Sequence, residues 1–230
     1  MSMDFPPPRL AFALLFSTAI GCNRPTPPSA PAAPAAPVTA ATTRPDGSTA
    51  ARDDWAEGRE LFYELIAERT KSTEASTAYW TRVRATDPSA VPTAYLGATT
   101  MLASAYEGWP PTKGKLARQG LELLDAAVAA EPANVEVRFL RGMTSYRLPG
   151  FFKRGAIAAA DLAFVAERAT TAAASGALAR GQAAAALYHH GLLRADADDL
   201  PAARAAWEEA VAIAPDSAPG KAAAVELNKR

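Results

Sequence analysis

Cysteine is nearly absent from this chain, which has Cys22 and no other. That excludes an internal disulfide framework and any zinc site built on thiolates. Histidine is almost as scarce: His189 and His190 are the only two. As neighbours on a helix they point about 100° apart, so they do not chelate one ion as an i,i+4 pair does. No excess of one charge exists, since Lys+Arg and Asp+Glu both number 24, and no global field draws the protein to nucleic acid or another polyanion. No serine stands in a G-x-S-x-G setting and no lysine in a phosphate-binding loop. Glu60, Glu64, Glu208 and Glu209 fall at helix-surface spacings, where solvation and salt bridging are the default. A protein that is not an enzyme, with no cofactor and no metal, is the expectation. With 49% apolar residues in 230, the chain is nevertheless long enough to bury a core.

The N-terminal residues read as a targeting segment. Arg9 precedes an apolar run from Leu10 to Ile20, too short to span a bilayer as a mature helix. The run ends in Ala19-Ile20-Gly21-Cys22, which resembles the lipobox of bacterial lipoprotein signal peptides. The resemblance implies that residues 1–21 are removed and that Cys22 is the lipidation site. Asn23 follows the cysteine in place of aspartate, which by the same resemblance implies an outer-membrane lipoprotein facing the periplasm. An ordinary secretory signal with an incidental cysteine is the alternative. Acyl chains contribute about 0.8 kcal/mol per buried methylene, and two or more give a stable anchor.

Residues 22–51 carry Pro25, Pro27, Pro28, Pro31, Pro34, Pro37 and Pro45 among alanine, threonine and serine. So little there is large and apolar that a packed core is not expected, and a disordered linker is. Extended at about 3.1 Å per residue, it makes a spacer of at most roughly 85 Å.

From residue 52 to 230 the texture becomes alanine-rich and amphipathic, and an all-α domain is expected. Asp53 or Asp54 can cap a first helix carrying Trp55, Leu61, Phe62, Leu65 and Ile66. Further helices are expected over 72–86, 89–107, 113–130 and 134–147, then 152–168, 172–194, 199–214 and 217–228. Pro88, Pro132 and Pro149-Gly150 read as stops, as does the double proline Pro110-Pro111.

Within these helices a spacing recurs. Gly191, Ala203, Trp207, Ala210 and Pro215 are placed so that small residues admit a close helix crossing and the large indole fills the gap beside it. Trp80, Val83 and Pro88 stand at the same intervals as Trp207, Ala210 and Pro215, and Leu124, Ala127 and Pro132 do so again. Leu96-Gly97 and Leu140-Arg141-Gly142 are the first-helix counterparts. The pattern resembles the tetratricopeptide repeat (TPR), whose roughly 34 residues form two antiparallel helices. The prolines do not keep that period, so the expectation is an irregular TPR-like α-solenoid of four helical hairpins and a C-terminal capping helix. A generic helical hairpin would show the same spacing.

In that family the first helices line a concave surface that binds extended peptides or a partner's helix. Carried onto this chain, the groove-facing positions are Ala94, Ala98 and Met101, then Phe139, Met143 and Tyr146, then Tyr188, Leu192 and Asp196. Phe139 and Met143 fit a plain core role equally. The stretch from Arg138 to Gly155 adds Arg141, Arg147, Phe151, Phe152, Lys153 and Arg154, with no acidic residue between Glu136 and Asp161. A basic, aromatic segment at a helix break fits an acidic peptide, a phosphate group or lipid headgroups. It equally fits a solvated face whose Phe151-Phe152 staples the next helix to the core.

Two functions from different classes follow. One is a membrane-anchored TPR-type scaffold or adaptor that binds another protein or peptide of the cell envelope. The other is a periplasmic accessory protein of a solute transporter that binds a solute-binding protein or a small ligand. Partner-binding residues in either case are Phe139, Met143, Tyr146, Arg147, Phe151, Lys153, Arg154, Tyr188 and Leu192.

Overall fold

A computed structural model of the chain describes residues 55–67 and 72–229. The expected leader, Cys22, the Pro/Ala segment and the caps Asp53 and Asp54 lie outside the described residues. Ten α-helices and one short 3-10 turn are present among the described residues, with no strand. They are α1 (Ala56–Ile66), α2 (Glu74–Thr86), α3 (Ala90–Tyr106), α4 (Pro110–Ala130), α5 (Val135–Arg147), α6 (Gly155–Ala166), α7 (Ala169–Ala174), α8 (Arg180–Asp196), α9 (Leu200–Ile213) and α10 (Ala218–Lys229). No described helix is long and apolar enough to cross a membrane.

Several boundaries have an evident local cause. The Asn134 side chain accepts from the Glu136 and Val137 amides at 3.0 and 3.1 Å, which caps α5. Asp199 does the same for α9 through the Ala202 amide at 3.2 Å. Pro110 and Pro111 do not act as stops; they open α4. A helix leaves its first amides unpaired in any case, so proline costs nothing there, and Trp109 before it takes the extended backbone that proline imposes.

The single helix expected over 172–194 is two. Gly176 at φ 70° breaks the run, and the Leu178 amide turns back to the Ala172 carbonyl at 3.1 Å. Burying Leu178, which is 2% exposed, is what the break accomplishes. Ahead of α6, Gly150–Phe152 forms the 3-10 turn, and Lys153 follows in the left-handed region at φ 55°.

The helices pack as consecutive pairs: α1 with α2, α3 with α4, α5 with α6, and α8 with α9. Between pairs, α2 and α3 touch, α3 lies on α5, α4 on α5, and α6 on α8; α10 covers α8 and α9. Each pair has a glycine of its first helix at the crossing. A Cβ at Gly58 would stand 2.7 Å from Trp80 Cζ2, at Gly97 2.9 Å from the Gly120 carbonyl oxygen, and at Gly142 2.9 Å from Asp161 Cβ. At Gly191 it would stand 2.6 Å from Trp207 Cδ1. The crossing seen in sequence at Gly97, Gly142 and Gly191 therefore also occurs at Gly58.

Around these crossings lies an apolar interior that begins with Phe62, Trp80, Tyr95 and Leu124 and runs through Leu162, Val165 and Leu187 to Trp207. Trp80 stacks on Tyr95 at 4.5 Å, with the rings 9° from parallel. Both Trp80 and Trp207 are wholly buried, and truncating either removes about 3–5 kcal/mol.

Candidate partner-binding surface

The first helices α1, α3, α5 and α8 run in the same direction, and this positions everything that follows. Their N-terminal halves share one polar network. Arg59 of α1 grips Glu136 of α5 in a two-pronged ion pair at 2.8 and 2.9 Å. Tyr95 of α3 donates to the same carboxylate at 2.8 Å, and the Tyr63 and Tyr95 hydroxyls lie 3.3 Å apart. The Gln182 amide, in the first turn of α8, reaches the Tyr63 hydroxyl. Burial, and then the Glu136 charge, raise the pKa of both tyrosines, so they stay protonated. For Arg59 burial acts downward, but the Glu136 hydrogen bond and charge outweigh it and hold the guanidinium above its usual value. The network joins α1 to α8.

The C-terminal halves leave a cleft. Phe62, Ile66, Met101, Leu102, Met143 and Arg147 are among its walls, with Ala98, Leu140 and Thr144, around a cavity of about 20 Å³, room for about one water molecule. Apart from Thr144 and Arg147 the lining is apolar. Burial lowers the Arg147 pKa, with Tyr146 acting in the opposite direction. Next to it, His189 is 2% exposed, and neither of its ring nitrogens has a hydrogen-bond partner among the described residues. Burial, reinforced by the Arg147 charge, brings its pKa down to about 3, so the ring is neutral. Its ring packs at 4.6 Å from Tyr146 and 5.1 Å from Tyr188.

The residues singled out in the sequence do not share one face. Phe139 and Met143 are 0% and 1% exposed and pack with Leu162, Val165 and Leu178, so Phe139 presents no surface and Met143 only its edge to the cleft. Tyr146 is half-buried against that same interior. Tyr188 and Leu192 face the other way, into the packing of α8 with α9 and α10. Ala94, Ala98 and Met101 are buried, whereas Asp196 is exposed.

The basic segment is largely neutralised from within. Arg138 and Arg141 both bind Asp161, which is 0% exposed, at 2.9 and 2.6 Å. Arg141 also reaches Asp125 at 3.3 Å, and Arg154 binds Asp125 at 2.8 and 2.6 Å. Burial would raise the Asp125 pKa, but hydrogen bonds and charge from Arg154 and Arg141 bring it below the ordinary value. Of the aromatic and basic residues of this stretch, only Phe151, at 77%, and Lys153 stand out in solvent.

Sequence reasoning passed over Arg59, Tyr63, Tyr95, Glu136 and Gln182. A glutamate in a first helical turn reads as a solvated dipole partner, and nothing local shows an arginine 77 positions upstream. No group of three or more His, Cys, Asp and Glu among the described residues could hold a metal ion.

The fold defines an all-α protein of successive helix pairs. Comparison with family models, with curated proteins and with solved structures finds no match.

Proposed function

We propose that the chain is a membrane-anchored scaffold of TPR type that holds another protein of the cell envelope. The observation that carries this is the glycine crossing repeated in four consecutive helix pairs, each packed on its neighbours. Stacked pairs of that kind form an irregular α-solenoid whose first helices face inward. The narrow cleft between α1, α3 and α5 lies on that inner face, and its apolar mouth marks where a side chain of a partner would seat. Methionines on its wall adapt to such segments, and Arg147 supplies one charged hydrogen-bond donor at the end. Lipidation at Cys22 would keep the scaffold at the periplasmic face of the outer membrane, as a non-catalytic component.

The test is crosslinking and affinity capture from membranes, followed by mass spectrometry, with a Thr144→Phe variant beside the parent chain. Thr144 is half-buried at the cleft, so the larger ring blocks the opening while circular dichroism checks the helices. An envelope protein captured by the parent and lost in the variant supports the reading. Equal capture by both removes the cleft from it.

A further inference from the structure

The exposed aromatic side chains lie on two turns, each at the C-terminal end of a first helix. Among the described residues, Tyr106 (46%), Trp109 (65%) and Phe151 (77%) are the large aromatics classed as exposed. The first two lie at the turn between α3 and α4, the third at the turn between α5 and α6. Because α3 and α5 run in the same direction, both turns fall at one edge of the molecule. The walls of the cleft show the register, since Met101 and Leu102 of α3 share it with Met143 of α5, each about one helical turn before its loop.

Both turns are held in shape. The Trp109 amide donates to Glu107 Oε1 at 2.8 Å, and Pro110 fixes the start of α4 immediately afterwards. In the other turn Phe152 packs inward on the interior, and its ring, 4.6 Å from that of Phe151, leaves Phe151 pointing out. The aromatics therefore sit on preorganised tips, a shape that inserts instead of enclosing.

Lysines flank these turns in the chain, and Glu107 is the one acid in the two turns. Lys113 and Lys115 near the start of α4, and Lys153 just before α6, are exposed and form no ion pair with the described residues. Neither helix has an acidic residue in its first turn. A helix N-terminus is its positive end and disfavours cations, so these lysines gain nothing from the helices that carry them. Lys153 also occupies the left-handed region, where glycine would be less strained. At the next turn along the edge, between α8 and α9, Leu200 is exposed at 41% but stands among exposed Asp196 and Asp198. The charge changes sign there, which bounds the basic part on that side.

Exposed Trp, Tyr and Phe on turns flanked by unpaired lysines are the chemistry of a membrane interface with anionic lipid. We propose that the edge formed by the α3–α4 and α5–α6 turns rests on an anionic phospholipid surface, with Trp109 and Phe151 at the headgroup level and Lys113, Lys115 and Lys153 over the phosphates. The inference does not depend on lipidation at Cys22 or on any protein held in the cleft.

The test uses the chain from Asn23 to Arg230, which contains every described residue but neither the apolar run 10–20 nor Cys22, each able to bind a vesicle alone. Vesicles of phosphatidylglycerol with phosphatidylethanolamine are compared with vesicles of phosphatidylcholine by co-sedimentation and tryptophan emission. The chain sediments with the anionic vesicles, and tryptophan emission shifts to the blue. Trp109→Ala with Phe151→Ala lowers partitioning by about tenfold or more. Replacing the three lysines by glutamine removes the preference for anionic vesicles, at about fivefold per lysine. Val225→Ala, exposed on α10 and away from these turns, leaves binding unchanged. All substituted side chains are exposed, and circular dichroism checks that each variant keeps its helices. A parent chain that stays in the supernatant overturns the proposal, as does a double aromatic variant that sediments like the parent. Absent vesicle binding, together with loss of a captured envelope protein in the same variants, overturns it in favour of a protein contact.

Discussion

Gly191 lies directly against the indole of Trp207, whose Nε1 donates to the Tyr188 carbonyl oxygen at 3.2 Å, one turn back on the same helix as the glycine. The indole is wholly buried and cannot move aside. Gly191→Ala is expected to lower the unfolding free energy by about 2–3 kcal/mol, because the pair must spread apart. Gly114 is also helical but has nothing within 4 Å of a Cβ. Gly114→Ala is expected to raise stability by about 0.5–1 kcal/mol. Urea denaturation of both variants checks the contrast, and equal effects would mean that helix propensity alone governs these positions.

Asp161 is the acid at the centre of the basic stretch. It takes both Arg138 and Arg141 while being 0% exposed. Asp161→Ala leaves two guanidinium groups facing an apolar site and is expected to cost about 3–5 kcal/mol. Glu167→Ala, which breaks an exposed pair with Arg168, is expected to change stability by less than about 1 kcal/mol. Thermal unfolding distinguishes them. A charge reversal at Arg154 is expected to cost less than Asp161→Ala, since the two carboxylates it sets together at Asp125 are partly screened by solvent.

Acid is expected to weaken the fold through His189. Its folded pKa of about 3 lies below the ordinary 6.5. Between these values the unfolded chain holds a proton that the folded chain does not, so stability is complete above pH 6.5 and declines as pH falls towards 3. The slope is about 1.4 kcal/mol per pH unit for one proton. Denaturation midpoints at pH 7 and 4.5 should therefore differ less in His189→Phe than in the parent chain. An identical pH dependence in both would show that the imidazole is not the group responsible.

Glu136 accepts from both Arg59 and Tyr95. Glu136→Ala removes the carboxylate around which α1 is held to α3 and α5. The expected cost is about 2–4 kcal/mol, with amide exchange rising first in α1. Uniform exchange across all helices would instead point to global destabilisation.

Much of the fold was legible because helices announce themselves locally. Proline positions, alanine-rich amphipathic runs and caps such as Asn134 placed most elements. The errors share one cause, which is that a local signal has two physical outcomes. Pro110-Pro111 can end a helix or open one, and only the geometry of the turn decides between them. The run from 172 to 194 looks continuous until burial of Leu178 draws the chain inward at Gly176. The candidate site was less legible for a related reason. Tyr146 and Tyr188 occupy helix positions that look equivalent, yet one packs towards α6 and α8 and the other towards α9 and α10.

By itself the sequence determined that this is an all-α protein made of paired helices, since glycine and tryptophan spacings act within a few turns of one another. Tertiary structure alone decided which charges are free. Arg138, Arg141 and Arg154 form an unbroken basic run in sequence but meet Asp125 and Asp161 in space, while Lys113, Lys115 and Lys153 remain in solvent beside exposed aromatics. Coulomb attraction depends on distance through space, and distance along the chain does not report it.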